Sequence, residues 1–149
     1  MFKKILVPID GSDQSVEAAR IAVSIAGKYG SQVQLLHVVA PPSYDSPGLD
    51  VQPTFMSIAL EHWEKMGRDV LQRACQECKV EEVKVTMELA WGNPARVICD
   101  KAEEGEYDLI VIGSRGLGGL TGLILGSVSD RVSHMAPCPV LITHQKTRK

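Results

Sequence analysis

The chain has 149 residues, 44% of them hydrophobic and 23% charged, and a formal net charge of −2. This composition is typical of one globular domain, so we expect a single domain over residues 1–149 with residues 145–149 as a basic tail. Lysine and arginine are spread along the chain, which argues against a nucleic-acid-binding surface. The apolar runs are too short to cross a membrane or to form a signal peptide. We therefore expect a cytoplasmic protein with no nucleic-acid or membrane partner.

The first segments predict a strand, a helix and a second strand. The apolar run KKILVPID is typical of a buried strand. The segment after it offers Ser12 or Asp13 as a helix cap and Gly30 as a stop. The run QVQLLHVVA then predicts a second strand rich in β-branched residues, within which we interpret His37 as a core or sheet-end histidine.

A proline-rich loop from Pro41 to Thr54 follows, and loops of this length are often functional. Next, a long helix is predicted from about Phe55 to Cys78. We expect its apolar stripe to pack in the core; the stripe consists of Phe55, Ala59, Trp63, Met66, Val70 and Ala74. Cys75 and Cys78 form a CxxC at the end of this helix. Because a thioredoxin-type motif opens a helix, we interpret these cysteines as structural.

The second half of the chain repeats the alternation. EVKVTMELA predicts a strand, and Asn93 followed by Pro94 is a typical helix start. YDLIVIG is a continuous apolar run and predicts a strand buried on both faces. After a glycine cluster, SVSDRVSHMA predicts a helix and PCPVLITH a last strand. The order β-α-β-α-β-α-β-α-β indicates an α/β protein with a parallel sheet and helices on both faces.

The glycine cluster lies in VIGSRGLGGLTGLILGSVSDR, residues 111–131. Glycine lets the backbone approach an anion, and the helix that begins near Ser127 carries a partial positive charge at its N-terminus. The segment therefore predicts a phosphate-binding loop, with Arg115 as a candidate positive charge and Ser127 as a natural helix cap. The Walker pattern and the GxGxxG fingerprint are both absent, so a flexible glycine loop without a ligand stays the alternative.

Ligands of open α/β sheets bind at the carboxyl ends of the strands, where the winding reverses. If the first and fourth strands are neighbours, the segment around Asp10 and the glycine cluster meet over one crevice. A carboxylate there suits sugar hydroxyls, and a helix N-terminus suits phosphates. The alternative for Asp10 is a cap of the first helix.

The glycine spacing resembles a known motif. Gly113, two residues, Gly116, nine residues, Gly126 and Ser127 match G-x2-G-x9-G-[ST], the ATP-binding motif of the universal stress protein family. The resemblance covers nearly the whole chain and includes ILVPIDGS, LLHVV, DLIVIGSRG and GSVSDRVSHMAPCPVLIT. It implies a Rossmann-like fold, similar to the adenine nucleotide alpha hydrolases. The implied sheet is open, five-stranded and parallel, of order 3-2-1-4-5.

The resemblance also implies binding of ATP or AMP, with or without Mg. The residues expected at adenine and ribose are Pro8, Ile9, Asp10 and Val38. The residues expected at ribose and phosphates are Gly113, Arg115, Gly116, Gly126, Ser127 and Val128. It further implies a homodimer paired through the last strand, Val140 to His144, whose open edge has to be covered or paired.

We predict a nucleotide-binding protein with a regulatory or stress-response role. A slow ATPase or phosphotransferase is one alternative. However, the sequence offers no Walker lysine and no evident general base, which favours binding over fast catalysis, and we assign no catalytic residue and no metal ligand. Two further alternatives are a dimeric interaction module that does not use nucleotide and another adenosine- or flavin-binding α/β protein of related architecture.

Overall fold

The computed structural model describes residues 1–41, 52–116 and 125–145. Most of the proline-rich loop lies outside these ranges, as do Gly118, Gly119 and Gly122. The elements follow the predicted alternation. They are β1 (Lys4–Pro8), α1 (Asp13–Tyr29), β2 (Gln32–Val39), α2 (Pro53–Cys78), β3 (Val85–Trp91), α3 (Pro94–Glu104), β4 (Leu109–Gly113), α4 (Ser127–Met135) and β5 (Val140–Thr143).

The five strands form one parallel sheet of order β3-β2-β1-β4-β5, which confirms the predicted fold. β1 is paired with β2 on one side and with β4 on the other, so the chain winds away from β1 in both directions. The segments that follow β1 and β4 therefore leave the sheet side by side. β3 and β5 lie at its two edges.

Two apolar clusters form the core, one on each face of the sheet. α1 and α2 cover one face, where Ile5, Val7 and Leu35 are fully buried. α3 and α4 cover the other face, where Leu6 and Leu36 are fully buried. All five residues of β4 are buried, as its continuous apolar sequence predicted. None of the helices in the described ranges has the length and apolar composition needed to cross a membrane.

The helix ends agree with the sequence signals for α1 and α3. The Ser12 side chain accepts a hydrogen bond from the Ser15 N–H at 3.1 Å, so Ser12 and not Asp13 is the N-cap of α1. α1 ends at Gly30, whose φ of 68° is the left-handed conformation that favours glycine. The Asn93 side chain accepts from the Arg96 N–H at 3.2 Å and caps α3.

The expectation that the apolar stripe of α2 packs in the core is wrong for Phe55 and Met66. Phe55 is 67% exposed and Met66 is 52% exposed, whereas Ala74 is buried. A helix of 26 residues is about 39 Å long, and a strand of eight residues is about 26 Å long. α2 is therefore longer than any strand of the sheet, and the described strands leave apolar side chains of its first turns exposed.

The CxxC lies in the last turns of α2, as predicted. Cys78 is buried, and Cys75 is partly buried. Burial raises the pKa of the Cys78 thiol to about 11, because the interior disfavours the thiolate. Cys78 is therefore protonated at neutral pH, as expected of a structural cysteine.

Asp108, just before β4, joins the starts of β4 and β1. Its Oδ2 accepts hydrogen bonds from the backbone N–H groups of Lys4 at 2.9 Å and Lys3 at 2.8 Å. These two donors favour the charged form and lower the pKa of Asp108 below its ordinary value.

Candidate functional site

A cavity of about 290 Å³ lies at the carboxyl ends of β1, β2 and β4. All of the site residues predicted from the sequence line it: Pro8, Ile9, Asp10, Val38, Gly113, Arg115, Gly116, Gly126, Ser127 and Val128. Further lining residues that the sequence reasoning missed are Ser15, Leu36, Pro94, Ile98, Ile112 and Ser129. The predicted residues thus lie together, and their contact with a ligand stays a prediction.

Asp10 is held by the segment between β1 and α1. Its Oδ1 accepts hydrogen bonds from the Ser12 N–H at 2.9 Å and from the Ser12 hydroxyl at 2.5 Å. The N-cap of α1 is Ser12, so the alternative in which Asp10 caps this helix is wrong. One carboxylate oxygen is thereby anchored to the protein, which restricts the orientation of the other.

The second oxygen, Oδ2, lies beside Gly116. A Cβ added at Gly116 would lie 2.2 Å from this oxygen, closer than real Cβ contacts come. A Cβ added at Gly113 would lie 3.3 Å from backbone atoms of Gln14 in the first turn of α1. The absence of a side chain at these two positions therefore allows the chain after β4 to pass close to Asp10 and α1.

The N-terminus of α4 faces the same cavity. Its first backbone hydrogen bond runs from the Asp130 N–H to the Gly126 carbonyl at 2.9 Å, so the N–H groups of Ser127, Val128 and Ser129 precede the helical ladder. The N-cap is Gly126 and has no side-chain cap hydrogen bond. Ser127 as the helix cap was therefore wrong, because it is the first helical residue. N–H groups outside the helical ladder and the helix dipole make this end a suitable anion site.

Ser129 fixes this helix end to the end of β4. Its hydroxyl lies 3.0 Å from the carbonyl of Ser114 and 3.0 Å from that of Gly126, and it can donate to either. The Gly126 N–H donates to the same Ser114 carbonyl at 2.8 Å. A serine in the third helical position was the sequence signal that could have identified it.

The remaining wall of the cavity is apolar. It consists of Leu36 and Val38 from β2, Ile98 from α3, Ile112 from β4 and Val128 from α4. The cavity thus combines an apolar wall with a carboxylate and a helix N-terminus, a combination that can hold a flat apolar ring, hydroxyl groups and an anion at once.

No group of three or more His, Cys, Asp or Glu side chains in the described ranges is arranged to hold a metal ion.

A family model described as the universal stress protein family matches residues 1–144. The chain belongs to the universal stress protein family. One curated member, universal stress protein YxiE of Bacillus subtilis, is 37% identical over 146 residues, which are 95% of this chain and 99% of that protein. The solved structure of universal stress protein UspA from Lactobacillus plantarum is 30% identical, covers 95% of this chain and 97% of that chain, and has a TM-score of 0.81.

Two more distant universal stress protein structures contain a nucleotide. One is described as a complex with cAMP; it is 24% identical, covers 96% of this chain and 97% of that chain, and has a TM-score of 0.63. The other, from Arabidopsis thaliana, has AMP bound; it is 21% identical, covers 97% and 93%, and has a TM-score of 0.67. At these identities the likeness shows the fold.

Proposed function

We propose that this universal stress protein binds an adenine nucleotide, ATP or AMP, in the cavity at the carboxyl ends of β1, β2 and β4. The observation that supports this is the meeting of the Asp10 carboxylate, the close-packed Gly116 and the N-terminus of α4 in one cavity with an apolar wall. The carboxylate matches the sugar, the helix N-terminus matches the phosphates, and the apolar wall matches the base. Gly116 lets the chain after β4 lie beside the carboxylate.

In the proposed complex the purine packs against Val38, Ile98 and Ile112, because burying its faces there removes apolar area from water. The ribose hydroxyls donate to Oδ2 of Asp10, the oxygen that does not bond to Ser12. A carboxylate acceptor makes these hydrogen bonds stronger than neutral ones. The pair of hydroxyls on the ribose is the feature that this carboxylate would recognise.

The phosphates of the proposed complex accept hydrogen bonds from the backbone N–H groups of Ser127 and Val128, and from the Ser127 hydroxyl. Gly126 as the N-cap contributes no side chain that would compete for these donors. The spacing Gly113, Gly116, Gly126, Ser127 supports membership of the ATP-binding subgroup. The AMP and cAMP complexes of proteins with the same fold support the same ligand class.

We infer a binding and regulatory role, active in stress responses, rather than fast catalysis. Among the described lining residues Asp10 is the one carboxylate, and none is a lysine. Efficient phosphoryl transfer uses a positioned base, metal ligands and several positive charges. A Mg ion would therefore be bound mainly through the phosphates of ATP, and hydrolysis would be slow.

We also propose that the protein forms a homodimer through β5. β5 lies at one edge of the sheet. Its inner side accepts hydrogen bonds from the Ile110 N–H of β4 to the Pro139 carbonyl and from the Ser114 N–H, just after β4, to the Thr143 carbonyl. Because alternate residues of a strand direct their backbone groups to opposite sides, those of Val140 and Ile142 face the open edge. Two such edges paired about a twofold axis would satisfy each other.

The binding proposal is tested by extracting the purified protein. The protein is denatured and filtered, the filtrate is analysed by nucleotide-resolving chromatography, and ATP and AMP are titrated into nucleotide-free protein by calorimetry. We expect adenine nucleotide in the filtrate or saturable binding, and at least roughly tenfold weaker binding by Asp10→Asn. An extract without adenine nucleotide, together with no binding in the presence of Mg, refutes the proposal.

A further inference from the structure

We propose that His37 is a positioning residue for the nucleotide site, acting through the peptide bond that carries Asp10. This inference rests on the proposed function. His37 is half-buried in β2, and its Nδ1 lies 2.7 Å from the carbonyl oxygen of Ile9. A carbonyl oxygen only accepts hydrogen bonds, so Nδ1 carries the hydrogen and donates it. His37 is absent from the cavity lining, and its neighbour Val38 lines the cavity from the other face of the sheet.

The Ile9 carbonyl accepts its hydrogen bond from the His37 side chain where the backbone ladder between β1 and β2 ends. β1 pairs with β2 up to Pro8 opposite Leu36, and the Ile9 N–H donates to the Leu36 carbonyl at 2.8 Å. Beyond this point the chain turns away toward α1. The imidazole of His37 provides the donor for the Ile9 carbonyl at the point where the strand ends.

The same peptide is held from its other side. The Asp10 N–H lies 3.4 Å from the Ser15 hydroxyl oxygen, and Ser15 is itself a lining residue of the cavity. A peptide unit is planar, so fixing the Ile9 oxygen and the Asp10 nitrogen fixes the whole plane. This plane places the Cα of Asp10, and the two hydrogen bonds from Ser12 to Oδ1 then set the direction of its side chain. His37 thus helps to orient the Asp10 carboxylate, although its own side chain is not part of the cavity lining.

The position of the imidazole is set by α2. A Cβ added at Gly67 would lie 2.8 Å from Cδ2 of His37 and 2.4 Å from Cδ1 of Leu89. The helix therefore packs directly onto the ring at a residue that has no side chain. A chain of contacts runs from Gly67 through His37 and Ile9 to Asp10.

The test uses two substitutions that separate the hydrogen bond from the packing. His37→Asn keeps an N–H donor at the position of Nδ1 and loses most of the ring. His37→Phe keeps the ring and loses the donor. If His37 positions Asp10, the affinity for ATP follows the donor: H37F binds about five- to tenfold more weakly than wild type, and H37N stays within about twofold. The unfolding temperature depends on the ring instead, so H37F unfolds at a higher temperature than H37N.

A double-mutant cycle with Asp10→Asn locates the effect. If His37 acts through the carboxylate, H37F weakens binding by less than about twofold when Asp10 is already Asn. His37→Leu replaces H37F if that variant does not fold. Equal loss of affinity in H37N and H37F, or wild-type affinity in H37F, overturns the role of His37 while leaving the proposed function intact. Failure of the wild-type protein to bind ATP overturns both.

Discussion

The contact between Gly116 and Asp10 allows the site to be perturbed by one methyl group. In Gly116→Ala the new Cβ would start 2.2 Å from Oδ2 of Asp10. Real Cβ contacts do not fall below 3.0 Å, so Oδ2 has to move by at least about 0.8 Å. Oδ1 is held by two hydrogen bonds from Ser12, so the carboxylate can move only by rotating or by giving up those bonds.

The expected effect is a loss of nucleotide affinity with little loss of stability. A hydrogen bond to a charged group contributes about 1.5–3 kcal/mol. Removing that contribution from the ribose contacts raises the Kd for ATP by roughly 10- to 150-fold. The global fold is affected less, because the new Cβ overlaps the Asp10 carboxylate and Gly116 is otherwise exposed.

Calorimetry of Gly116→Ala with ATP, paired with thermal unfolding, measures both quantities. Gly27→Ala is the matched control, because the added Cβ meets only Cγ2 of Val83 at 3.8 Å, an ordinary contact. We expect it to bind like wild type and to be more stable by about 0.5–1 kcal/mol, since Gly27 lies inside α1. Wild-type affinity in Gly116→Ala would refute the assignment of Asp10 to the ribose.

Three further predictions concern stability and assembly. Asp108→Asn lowers the free energy of unfolding at neutral pH and makes its decrease toward acidic pH shallower, because a carboxylate with a lowered pKa contributes stability that is lost as the pH falls through that pKa. Urea titrations at several pH values measure this, and an unchanged pH profile contradicts it. Gly67→Ala is less stable by about 1–3 kcal/mol in chemical denaturation, because the added methyl overlaps two side chains; equal stability speaks against the tight packing of α2. Ile142→Pro removes a backbone N–H from the open edge of β5, so we expect monomers in light scattering. Leu141→Pro is the control, because it breaks the hydrogen-bond ladder to β4 and destabilises the fold. A dimeric Ile142→Pro protein would place the dimer interface elsewhere.

Much of the fold could be predicted because its signals are local. Asn93 before Pro94 indicated the start of α3, Gly30 indicated the end of α1, and the continuous apolar run of β4 indicated a strand buried on both faces. The strand order came from the family resemblance, since local patterns do not specify which strands pair.

The exposure of Phe55 could not be predicted in this way. Helical periodicity identifies an apolar face, but the length of the strands beneath decides how much of that face is covered. The cap of α4 was misassigned for a related reason. Serine is a favoured cap, yet the backbone after β4 reaches the helix one residue earlier, at Gly126.

The site was predicted where a residue type carried the chemistry and missed where it did not. Asp10 and the motif glycines were recognisable by charge and spacing. Pro94 and Ile98 line the cavity as well, but a proline that starts a helix and an isoleucine on its inner face are equally what the core requires. The role proposed for His37 depends on a contact between two strands that no sequence pattern contains.

The most direct test of the account is a calorimetric titration of ATP into nucleotide-free wild-type protein in the presence of Mg. We expect saturable binding of one nucleotide per chain, with AMP competing for the same site. No heat of binding and no displaceable adenine nucleotide at millimolar concentrations would contradict it.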